Sequence, residues 1–89
     1  MIELLKHLRL QVDTIDDEII YLLSRRFELI KQIAKIKKEN KLVIYEPERA
    51  DEVMENVFEE AEDKGVSKDV VEALWKIIIE EAGHILKED

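Results

Sequence analysis

The 89-residue chain has no cysteine, one proline and two glycines. The missing cysteines rule out disulfides and thiolate metal sites. His7 and His84 stand too far apart in sequence to share the spacing of metal ligands, so zinc is not expected. No stretch approaches the ~18 apolar residues of a membrane span, and no basic-then-apolar start reads as a signal peptide. Together with the absent cysteines, this predicts a cytoplasmic protein. Positive charge is also short: 14 Lys and Arg face 22 Asp and Glu, for a net charge of -8. Nucleic-acid binding draws its dominant energy from clustered Lys and Arg neutralising phosphates, so it finds no support here. A chain of this length commonly depends on a disulfide, a metal or a partner. With the first two removed, association with another copy remains.

What is present is helical order over a long span. From about Glu3 to Glu39 there is neither Gly nor Pro, and Leu5, Leu8, Val12, Ile15, Ile19, Leu22, Leu29, Ile33 and Ile36 recur at steps of three and four. Such a stripe has a near-heptad period. At 1.5 Å per residue the helix would run roughly 55 Å, well beyond the width of a small globule. It must lie along a second long element, and the same helix of another copy is the partner the sequence offers. Leu42-Val43-Ile44-Tyr45 is strand-like but has no second strand to pair with, so it reads as an extended loop. Pro47 suits the first position of a helix, with Glu46 and Glu48 favouring its N-terminus. Val53, Val57 and Ala61, with Met54 and Phe58, form the inner face of this second helix. Gly65 stops it, and Ser67 caps a third, whose apolar face is read as Val70, Leu74, Ile77, Ile78 and Ile85. The expectation is one all-α domain over 1–89, with helices at about 3–40, 47–64 and 67–87.

The stripe is interrupted at Arg26, where the 19, 22, 29, 33 pattern calls for an apolar side chain. A buried guanidinium needs an anionic partner. Lys37 follows eleven residues later, close to a whole number of turns, so both side chains leave the helix on nearly one side. Arg9 precedes Arg26 by seventeen residues, or roughly 25 Å, and reaches the same ligand only from an antiparallel second copy. Two readings of these cations stand: a small-anion site, or structural ion pairs with carboxylates such as Asp13, Asp16, Asp17 and Glu18. Arg49, just after Pro47, fits either.

Leu8-Arg9, Ile15-Asp16, Leu22-Leu23-Ser24-Arg25-Arg26, Ile36-Lys37, Glu46-Pro47-Glu48-Arg49 and Ile77-Ile78-Ile79-Glu80-Glu81 follow each other in an order and spacing that resembles the all-α chorismate mutases, over essentially the whole chain. The resemblance implies an intertwined homodimer whose long first helices cross between protomers. It implies a pericyclic rearrangement of chorismate to prephenate, with neither metal nor cofactor, driven by positioning and preorganised electrostatics. Carried over by position, Arg9 grips one substrate carboxylate from the partner, and Arg26 holds the other through its planar fork. Lys37 donates to the ether oxygen, Arg49 completes the cationic lining, and Glu46 lies near the substrate hydroxyl. Ala82 and Leu86 fall on the family's third-helix substrate contacts.

Three positions depart from the family's pattern. Ala50 stands where a Glu usually binds the substrate hydroxyl, Ala82 replaces a small polar residue, and Leu86 replaces the Gln or Glu that is the second donor to the ether oxygen. Losing one such donor typically costs about 10²–10³ in rate. His84 and Glu88 lie on the far side of the helix from Leu86 and offer no substitute, while Gly83 inside the helix suggests close packing or a kink. The alternatives are an isochorismate pyruvate-lyase on the same scaffold and a non-catalytic helical dimer or regulatory module.

Overall fold

The computed structural model describes residues 1–88. It is all-α, with three helices in chain order: α1 (Ile2–Glu39), α2 (Pro47–Lys64) and α3 (Lys68–Glu88). Helix α1 runs 38 residues without a break and sets the long axis of a molecule 59 Å in length and 23 by 16 Å across. It ends where Asn40 folds back, its backbone N–H and its side-chain Nδ2 both donating to the carbonyl of Ile36. Lys37 and Lys38 lie in that last turn, where positive charge suits the carbonyl end of the helix. Lys41 takes a positive φ of 55°, and the Leu42 N–H then donates to the Lys37 carbonyl at 2.8 Å. The chain is thereby turned back so that residues 42–46 run as a loop beside the end of α1.

Pro47 stands at the start of α2, where its missing N–H is no loss. The helix closes at Gly65, whose φ of 69° is the left-handed conformation that glycine adopts without penalty. Ser67 precedes α3, its Oγ accepting weakly from the Val70 N–H at 3.5 Å. Helix α3 is the element on which both α1 and α2 pack, and Lys68 adds a tie by lying 4.8 Å above the ring of Phe58. The inner face of α2 is the expected one: Val53, Met54, Val57 and Phe58 are half-buried and Ala61 is buried.

Two faces differ from the sequence reading. On α3 the packed residues are Val71, Trp75, Ile78, Ile79, Ala82, Ile85 and Leu86, whereas Val70, Leu74 and Ile77 face outward. The helix is apolar on two sides, so periodicity cannot say which side meets its own chain. The same holds for α1. Its buried and half-buried apolar residues are Leu23, Phe27, Ile30 and Ala34, while Leu29, Ile33 and Ile36 of the stripe are exposed. Toward the N-terminus, Leu5, Leu8, Val12, Ile15, Ile19 and Leu22 are between 47% and 58% exposed. The buried core consists of Ala34, Ala61, Val71 and Ala82, too little to hold a helix of this length by itself. No helix of the described residues is long and apolar enough to cross a membrane.

Candidate active site

All three helices and the loop between α1 and α2 contribute to one cavity of about 310 Å³. Helix α1 supplies Arg26, Ile30, Ile33 and Lys37, at the steps of four, three and four that place side chains on one face. The loop supplies Ile44, Tyr45 and Glu46. Arg49, Ala50 and Val53 come from the first turns of α2, and Ile79, Ala82, Gly83 and Leu86 from one side of α3. Six of the seven residues assigned to a site from the sequence therefore meet here: Arg26, Lys37, Glu46, Arg49, Ala82 and Leu86. Arg9 does not. It is exposed on α1, seventeen residues N-terminal to Arg26, roughly 25 Å along the helix axis.

The charges are arranged unevenly. Cations line the α1 and α2 side, and the α3 wall is entirely apolar. Lys37 is well enclosed, with a side chain 12% exposed. Its ammonium donates to the Ile44 carbonyl at 2.9 Å and pairs with Glu46 Oε1 at 2.5 Å. Arg26 has no such partner: its Nη1 is buried and makes no hydrogen bond among the described residues. Burial, and secondarily the neighbouring positive charge of Arg49, pushes the Arg26 guanidinium below its ordinary pKa. Two like charges and an unsatisfied donor in one half-enclosed space are costly unless an anion completes them. Within this chain Arg26 pairs with none of Asp13, Asp16, Asp17 and Glu18, and it makes no salt bridge among the described residues.

Leu86 and Ala82 are on the cavity wall, as the sequence register requires, and Ala50 is there too. His84 and Glu88 lie off this wall, and His84 instead approaches Glu81 at 3.7 Å. Gly83 is not demanded by packing: a Cβ added there would meet nothing within 4 Å, and α3 continues through it unbroken. Sequence reasoning missed Ile44 and Tyr45 as lining. Their strand-like run was visible as buried-type sequence, but nothing in its periodicity pointed to a carbonyl that anchors Lys37.

The profile described as chorismate mutase type II matches residues 8–85. The T-protein of Haemophilus influenzae is 38% identical over 80 residues, covering 90% of this chain and 21% of that protein. A bifunctional chorismate mutase/prephenate dehydratase of Aquifex aeolicus is 45% identical over 56 residues, 63% of this chain and 16% of that protein. The chorismate mutase of Methanocaldococcus jannaschii is 30% identical over 80 residues, covering 90% of this chain and 81% of that one. The chain thus spans about a fifth of the length of the T-proteins it matches. No solved structure is a significant match.

Proposed function

The chain belongs to the chorismate mutase type II family, and on that premise we propose that its cavity rearranges chorismate to prephenate. The observation that carries this is Arg26: a buried guanidinium nitrogen without a partner, in a cavity that also holds Lys37 and Arg49. A dicarboxylate supplies what that arrangement lacks. Arg26 grips one carboxylate with two parallel N–H bonds, and Arg49 offsets the remaining negative charge. Within the bound molecule an ether C–O bond breaks as a C–C bond forms, so no proton or electron is exchanged with the protein. Its task is to hold the two ends together and to stabilise the charge growing on the ether oxygen. Lys37 is the donor available for that oxygen, since Leu86 opposite can give nothing. Glu46 takes the substrate hydroxyl on the carboxylate oxygen that Lys37 leaves open. Ile30, Ile33, Val53 and Ile79 form the surrounding apolar walls, which keep the local dielectric low and the cationic interactions strong.

The proposal includes a second copy of the chain. An intertwined homodimer covers the exposed stripe of α1 and brings Arg9 of one protomer over the cavity of the other, to hold the second carboxylate. The test is the loss of chorismate absorbance with purified protein, the products separated and identified, and isochorismate supplied in a parallel reaction. Prephenate supports the mutase reading. Pyruvate from isochorismate with no prephenate from chorismate, or a folded protein that turns over neither compound, refutes it.

A further inference from the structure

Glu46 is the single carboxylate on the cavity wall, and its geometry says more than proximity to a substrate hydroxyl. A lysine ammonium has three N–H donors. One is taken by the Ile44 carbonyl at 2.9 Å and a second by Glu46 Oε1 at 2.5 Å. Both acceptors come from one short loop, held at one end by the left-handed turn at Lys41 and at the other by Pro47. Residues 44 and 46, two apart, present a backbone oxygen and a side-chain oxygen to the same nitrogen. A four-carbon lysine chain is otherwise free to sample many rotamers. With two directions fixed, the tetrahedral ammonium has one N–H left, and Lys37 is among the residues that line the cavity.

From this arrangement we infer that Glu46 is a positioning residue that acts through Lys37: its carboxylate clamps the ammonium so that the remaining N–H is aimed at the reacting oxygen before substrate arrives. The inference rests on the mutase reading and deepens it. Leu86 makes it consequential, because the reaction then depends on one donor, whose placement nothing on α3 can correct. Charge agrees as well. Glu46 offsets one of the three positive charges of Arg26, Lys37 and Arg49 on the cavity wall. Without Glu46 the Lys37 ammonium loses its ion pair and is free to swing toward a substrate carboxylate.

The decisive variants are Glu46→Gln, which keeps the shape and an acceptor but removes the charge, and Glu46→Asp, which keeps the charge on a shorter arm. For Glu46→Gln the expected result is a fall in kcat of about 10–100-fold, the scale of a misplaced catalytic group, with KM changed less than about threefold. Glu46→Asp should recover part of the loss, and thermal melting should be nearly unmoved in both. A raised KM with kcat intact would make Glu46 a substrate contact only, and a lowered melting temperature with kcat intact would make it a loop tether only. Either overturns the inference. A readout independent of turnover is the side-chain ¹⁵N–¹H resonance of Lys37 in the substrate-free protein. It should be narrow and slowly exchanging in the parent chain and lost in Glu46→Gln. An unchanged resonance refutes the clamp whatever the assay shows. If the parent protein does not turn over chorismate, the mutase reading fails, and the resonance still decides whether Glu46 immobilises Lys37.

Discussion

At the scale of single residues, this cavity sets three cations, Arg26, Lys37 and Arg49, against one carboxylate, Glu46, and an apolar wall on α3. Arg26 illustrates the cost. Its folded-state pKa lies below the unfolded value because of burial first and Arg49 second. For a base lowered in this way, the charged form opposes folding at every pH below the shifted value, which includes the whole neutral range. Replacing Arg26 by Met should raise the stability of the ligand-free protein, by removing a buried unsatisfied donor nitrogen, while abolishing the proposed turnover. Chemical denaturation beside the chorismate assay checks both halves, and a destabilised variant would mean that the guanidinium has found a partner in solution. Leu86 is the opposite case. It lies on the cavity wall, so Leu86→Gln introduces a second donor opposite Lys37 and should raise kcat by up to about 10²–10³. An unchanged rate would mean that the amide does not reach the reacting oxygen.

At the scale of the elements, the two glycines predict opposite outcomes for the same substitution. Gly65 closes α2 in a left-handed conformation at φ 69°. Gly65→Ala forces a Cβ into that region and should cost roughly 1 kcal/mol. Gly83 sits inside α3, where an added Cβ meets nothing within 4 Å. Gly83→Ala should stabilise the helix by up to about 1 kcal/mol, and because residue 83 lines the cavity it should raise KM. Melting curves of both variants, with kinetics on the second, test the pair. A destabilised Gly83→Ala would show that another surface packs against α3 there. The expectation that Gly83 marks close packing or a kink is thus replaced, within this chain, by open space on the cavity wall.

At the scale of the whole molecule, the chain leaves a long apolar stripe uncovered, which the proposed homodimer would cover. The N-terminal half of α1 projects with its stripe exposed, and the core it leaves behind is four small or medium side chains. Burying such a stripe against its own copy is the economical solution for a helix this long. If the proposed homodimer forms, Ile15→Glu should convert it to a poorly stable monomer and abolish turnover, although Ile15 lies outside the cavity lining; sedimentation equilibrium measures the first effect. A complementation experiment tests the shared site directly. Chains carrying Arg9→Ala and chains carrying Arg26→Ala should each be inactive as homodimers. Unfolded and refolded together, they should regain activity at roughly one site in four, because only a mixed dimer unites an intact Arg9 with an intact Arg26. No recovery would mean that Arg9 does not serve the partner's site.

The sequence alone determined that there are three helices and, to within about a residue, where they break, because Pro47, Gly65 and the long Gly- and Pro-free stretch before Asn40 act through local backbone chemistry. It also selected Arg26 and Lys37 as a pair, since two positions on one helix keep a fixed angular relation wherever that helix packs. Tertiary structure decided what periodicity leaves degenerate. Helices α1 and α3 each carry more than one apolar face, and only packing showed that Leu23, Phe27, Ile30 and Ala34 are covered by the rest of the chain while Leu29 and Ile36 stay exposed. The clamp on Lys37 was likewise invisible in sequence. One of its two oxygens belongs to a backbone carbonyl, which every residue possesses, and only the path of the loop brings that carbonyl to the ammonium.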